Sequence, residues 1–185
     1  MMEKIYISGT GRCGTTFLIK IFSFLDFDTG FTRDTYEKNI CKKCNAGMEY
    51  TYNSKDYIIK NPYILNNIDI ILKDENIKIK TIIIPIRKYI DAANSRVKNG
   101  LKKRGGLWNA TDLESQITFY NKLIANYIYY MTKYNINTIF LDFDQMINDK
   151  EYLFNKLKKI LDEKNITFEL FSSVYNEVTL TSKPK

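Results

Sequence analysis

Short apolar runs alternate with longer mixed segments along this chain, and the two periods predict alternating strands and helices. Ile5–Ser8 is a β-prone run that stops at Gly9. From Thr15 to Leu25 apolar residues fall on most faces, which predicts a buried helix. Tyr57-Ile58-Ile59 reads as a second strand ending at Lys60-Asn61-Pro62, with a helix from Tyr63 to Lys73. Ile77–Ile86 is the clearest strand: Ile82-Ile83-Ile84 is continuous and β-branched, the mark of a strand buried on both faces. Helices are predicted over Lys88–Lys98, over Asp112–Tyr134 with Thr111 or Asp112 as cap, and over Lys150–Asp162. Thr138–Leu141 is a further buried strand.

This order predicts one α/β domain over residues 1–185, a three-layer sandwich around a mainly parallel sheet. Residues 26–55 read as a loop-rich insertion and 165–185 as a C-terminal tail. In such sheets ligands sit at the carboxyl ends of the strands, where the polar motifs of this chain fall.

Between the first strand and first helix stands Ser8-Gly9-Thr10-Gly11-Arg12-Cys13-Gly14-Thr15-Thr16. Glycines let the backbone turn tightly and bring N–H groups against an anion, and the following helix start adds its positive dipole end. Gly9 and Gly14 fit the phosphate-loop spacing G-x-x-x-x-G-K-[ST], so the fold is expected to be P-loop NTPase-like. Thr15, however, stands at the lysine position, and the cation is three residues earlier, at Arg12. After the Ile77–Ile86 strand comes Arg87, whose planar fork of donors suits phosphate oxygens, with Ser95 eight residues on.

The run Arg12-Cys13-Gly14-Thr15-Thr16-Phe17-Leu18 resembles the 5′-phosphosulfate loop of the sulfotransferases. The Arg87/Ser95 pair is similar to the family's arginine and serine that hold the donor's 3′-phosphate. Lys60-Asn61-Pro62 resembles its second-strand end, where a lysine assists transfer, and Phe140–Met146 resembles a strand and helix start with a structural role. The resemblance spans about residues 5–162. It implies 3′-phosphoadenosine 5′-phosphosulfate as co-substrate, held by Gly11, Arg12, Cys13, Gly14, Thr15, Thr16, Arg87 and Ser95, with no metal. Transfer of the sulfonate would go to a hydroxyl or amine on a small-molecule, sugar or peptide acceptor, with Arg12 and Lys60 holding developing charge. Two departures stand out. The chain has no histidine to serve as base. Relatives acting on polysaccharides use an acid about nineteen residues after the loop's first threonine; from Thr15 that offset falls on Asp34, with Glu37, Glu49 and Asp56 as further acids. The family's late basic, glycine-containing lid is also missing from the C-terminal end, and Lys102-Lys103-Arg104-Gly105-Gly106 is the candidate replacement.

A net charge of +7 suits an anionic partner. No aromatic-rich pattern accompanies the basic cluster Lys98, Lys102, Lys103 and Arg104, so a phosphorylated small molecule is expected rather than nucleic acid. No apolar run reaches the roughly 18–20 residues of a membrane helix, and no secretory signal is evident, so a cytoplasmic protein is expected. The three cysteines, Cys13, Cys41 and Cys44, do not make a disulfide framework; the Cys41/Cys44 spacing leaves zinc, a redox pair or two incidental thiols open. Two other activities remain open at this point. One is a small-molecule or nucleotide kinase with a degenerate loop, using Asp142 or Asp144 on magnesium. The other is a non-catalytic nucleotide-binding module.

Overall fold

A computed structural model of the chain describes residues 1–41, 44–100 and 105–182. Strand β1 (Met2–Ile7) lies inside the sheet, paired in parallel with β4 (Ile58–Lys60) on one side and β5 (Ile77–Ile86) on the other. Strand β6 (Thr138–Asp142) extends the sheet beyond β5, again in parallel, giving the order β4-β1-β5-β6. The strands are runs of β-branched and aromatic residues whose alternate side chains serve two different cores. Ile5, Ile7, Ile58, Ile83 and Leu141 face helices α1 (Thr15–Phe24), α6 (Lys150–Leu161) and α7 (Phe168–Ser182). Tyr6, Ile59, Ile82 and Ile84 face helices α2 (Ile68–Lys73) and α4 (Leu113–Lys133). Helix α3 (Tyr89–Asn99) packs on α4 through Ala92, Ala93 and Tyr120, and short α5 (Phe143–Asn148) follows β6. The expected α/β architecture, a parallel sheet with helices on both faces, is what the chain adopts.

Two expectations differ. Residues 165–182 are not a tail: α7 buries Phe171, Val174, Tyr175 and Val178, spaced three, one and three apart, against α1 and α6. The 26–55 segment is irregular as expected but contains a hairpin, β2 (Ile40–Cys41) with β3 (Ala46–Gly47). It also folds inward, burying Phe27, Phe31 and Met48 in the α1 core. Among the described residues no helix is long and apolar enough to cross a membrane.

The topology sets where a ligand fits. From β1 the chain proceeds by α1 to β4 on one side; from β4 it returns past β1 to β5 on the other. The connections leaving β1 and β5 therefore diverge, and the crevice between them opens at the carboxyl ends of the strands.

Candidate functional site

That crevice is a cavity of about 780 Å³, lined from the glycine-rich loop, the ends of β4 and β5, the hairpin, Gly105–Trp108 and the last turn of α7. Its floor is the loop between β1 and α1. Gly14 opens the helix in the left-handed region at φ 86°, a conformation that favours glycine. Arg12 occupies the same region at φ 58°, where a residue with a Cβ is strained by about 1 kcal/mol or more. No side chain caps α1 and no acid lies in its first turn, so the N–H groups of a positive helix end are left for another partner.

Three guanidinium groups converge on this loop. Arg87, at the end of β5, donates from Nη1 to the Arg12 carbonyl at 3.1 Å, and its cation lies 4.6 Å from the Phe143 ring. Arg12 turns back from the loop, donating from Nε to Ser95 Oγ at 3.0 Å and from Nη1 to the Cys44 carbonyl. Arg96, which no sequence motif marks, is the third. It is 8% exposed, donates to the Thr10 carbonyl at 3.1 Å and to Tyr120 Oη at 2.6 Å, and bonds the Gly106 carbonyl. Its plane also lies 5.2 Å from the Trp108 ring. The fit around it is close: a Cβ on Gly11 would stand 2.1 Å from Arg96 Nη2. Among the described residues none of the three arginines forms an ion pair with a carboxylate. Burial pushes the Arg12 guanidinium below its ordinary pKa, and the neighbouring charges of Arg96 and Arg87 act in the same direction. A bound anion would act in the opposite direction, favouring the charged guanidinium.

The other wall carries an ion pair. Lys60 ends β4, is 3% exposed, and donates to Thr16 Oγ1 at 2.9 Å, to Glu49 Oε1 at 2.9 Å and to the Gly47 carbonyl. The hairpin thus delivers an acid to a lysine that itself touches the first turn of α1. Glu49 is the one carboxylate lining the cavity among the described residues.

The structure therefore brings together Gly11, Arg12, Gly14, Thr15, Thr16, Lys60 and Arg87, all of which line the cavity. Ser95 stands one bond behind the cavity, on Arg12. Cys13 is fully buried, and burial pushes its thiol pKa up, so its side chain is a packing group rather than a cavity contact. Asp34 does not reach the site: it is exposed in the turn before Tyr36–Asn39 and does not line the cavity. Nor does Glu37, while Asp56 is buried and bonded to Ser54. The kinase reading's carboxylate Asp142 is occupied as the cap of α5, accepting from the Gln145 amide at 2.8 Å, and neither it nor Asp144 lines the cavity. Of the expected lid, residues 102–104 lie outside the described residues; Gly105 and Gly106 border the cavity, and Gly106 is bonded to Arg96. Cys44 is buried in the turn after Cys41, its carbonyl holding Arg12, and neither cysteine is in a disulfide; residues 42 and 43 lie outside the described residues. No protein-family model, no curated protein and no solved structure matches this chain, so what the cavity binds is argued from its own residues.

Proposed function

We propose that the chain is a sulfotransferase with a P-loop NTPase-like donor site, taking 3′-phosphoadenosine 5′-phosphosulfate and passing its sulfonate to a hydroxyl or amine. The observation that carries this reading is the set of three arginines, unpaired with any described carboxylate, gathered around an uncapped helix start. One phosphate needs one such pole; the spread of cations from Arg87 across the loop to Lys60 suits a ligand with anionic groups at two positions. In this reading the loop amides, Thr15 and Thr16 hold the 5′-phosphosulfate, and Arg87 takes the 3′-phosphate. Arg12 and Ser95, now bonded to each other, open to join it. Tyr63 and Trp108, edge to face at 5.1 Å on the cavity wall, lie beside the base.

In the transfer, an acceptor oxygen or nitrogen bonds to sulfur as the bond from sulfur to the 5′-phosphate oxygen breaks. The acceptor proton goes to a base, and adenosine 3′,5′-bisphosphate leaves. Charge grows on the bridging oxygen, where a fixed cation contributes most. The bond of Lys60 to Thr16 supports this role. Glu49, 2.9 Å from Lys60 and in the cavity, replaces Asp34 as the candidate base. The test is calorimetric titration with adenosine 3′,5′-bisphosphate, ADP and ATP, with and without magnesium. Tight binding of the bisphosphate that does not require magnesium is expected. Preference for magnesium-ATP would overturn the reading in favour of a kinase.

A further inference from the structure

The donor reading uses the three arginines and Lys60 but, among the described residues, leaves one cation of the cavity without a role. Lys20 lies in the middle of α1, a helix buried along almost its whole length, and is itself 3% exposed. A buried ammonium is costly unless its charge is answered. Here its partners are neutral. Nζ donates to Thr181 Oγ1 at 2.8 Å and to Ser182 Oγ at 3.2 Å, and lies 4.9 Å from the Tyr36 ring centroid. Glu37 and Glu177 are near enough to favour the charge, but neither forms an ion pair with Lys20 among the described residues, and Glu177 pairs with Arg33 at 3.3 Å.

The same side chain lines the cavity, together with Asn45 and Ser182. Lys20 follows Thr16 by four residues on α1, so the two share a face about one turn apart. Thr16 marks the transfer position through its bond to Lys60. Lys20 therefore stands about one helical turn beyond that position, further along α1 from the loop. Unused donors collect beside it. Asn45 Nδ2 gives one hydrogen to the Ser182 carbonyl at 2.9 Å and has a second to offer. The Ser182 hydroxyl, which accepts from Lys20, has a hydrogen of its own.

We propose that Lys20, Asn45 and Ser182 form a second anion subsite, which takes a carboxylate or sulfate group carried by the acceptor. The proposal rests on the sulfotransferase reading, and its content is that the acceptor is itself acidic. A lysine that only braced the last turn of α7 would affect stability and leave ligand selection unchanged.

The test uses the full chain saturated with adenosine 3′,5′-bisphosphate, with D-glucuronate and D-glucose titrated separately and followed by amide NMR. Glucuronate is expected to give saturable shifts at Asn45 and Ser182, and glucose none. Lys20→Met should weaken glucuronate binding about tenfold or more, the usual effect of losing a charge-assisted contact, and Lys20→Arg should stay within about threefold. Asn45→Ala, which leaves α1 intact, should weaken it by a few-fold and covers the case in which Lys20→Met does not fold. Equal binding of glucuronate and glucose, or glucuronate binding by Lys20→Met at the parent's affinity, would overturn the subsite. So would a Lys20→Met chain that loses the bisphosphate instead, since Lys20 would then be a donor contact. Should the parent not bind the bisphosphate, the sulfotransferase reading falls, and the same glucuronate titration on the unliganded chain still decides Lys20.

Discussion

The starts of helices α1 and α4 are built on opposite plans. At α4 the sequence supplies its own closure. The Asp112 side chain accepts from the Ser115 amide at 2.8 Å, and the Ser115 hydroxyl accepts from the Asp112 amide at 3.1 Å. Glu114 adds a negative charge to the first turn. Among the described residues each of the helices α2 to α7 has an acid in its first turn, and α1 has none. Instead α1 begins at a left-handed glycine with arginines gathered round it. One start is complete within four residues of sequence. The other is held open by the scaffold, because Arg87 and Arg96 tether the loop by its carbonyls while no carboxylate among the described residues pairs with them. A helix start that is stabilised locally is a folding element; one that repels its own surroundings is suited to an anion.

The contrast can be broken most forcefully at Lys60, the cation on the first turn of α1. Lys60→Met is expected to lower turnover by about a hundredfold while changing bisphosphate affinity far less, because its interaction grows as charge develops. A mutant with normal turnover and weakened binding would make Lys60 a ground-state contact. Next in size, Arg87→Ala should weaken adenosine 3′,5′-bisphosphate by about 10- to 100-fold in calorimetry and leave it bound no better than the 5′-monophosphate. If the preference for the 3′-phosphate survives, another group holds it. At α4 the effect should appear in stability alone. Asp112→Ala should cost about 1 kcal/mol in urea denaturation with bisphosphate binding unaltered. The smallest effect is expected at Asp34, exposed and outside the cavity. Asp34→Asn should stay within about 0.5 kcal/mol of the parent in stability and match it in binding and turnover. A large loss of turnover there would return the base to the 26–55 segment's outer turn.

What could be read in the sequence was what is local. Strand β5 matches its expected span from Ile77 to Ile86, since a continuous β-branched run has few other uses, and Asp112 was one of two expected caps of α4. The positions of the loop, Lys60 and Arg87 are legible because each stands at a strand end or directly after one. Helix α7 is not legible in the sequence although its apolar residues are present. Ser172, Ser173, Asn176 and Thr179 dilute its helix propensity, and its stability comes from packing on α1. Arg96 was illegible for a different reason. It sits between Ser95 and Val97 on a polar helix, and nothing in that context distinguishes it from a surface cation. Its burial is created by Tyr120 and Trp108, which arrive from elsewhere in the chain. An offset counted along the chain carries no information on where the segment folds: Asp34 lies in an exposed turn outside the cavity, and the acid paired with Lys60 is Glu49, just after the β2–β3 hairpin.

The position of β1 inside the sheet also has a consequence for how the molecule is made. Ile5, Tyr6 and Ile7 are fully buried, yet their partners lie at residues 58–60 and 81–83. At about 5–20 residues per second, the ribosome delivers those partners several seconds after the first strand. Until then three large apolar side chains have no sheet to join, and long-range parallel pairing is slow to form even once all its strands exist. A nascent chain of this kind offers an early binding segment to a holding chaperone. The glycine-rich loop, attached to the end of that strand, is synthesised before the strands that fix its position, and takes its final shape only after they have paired.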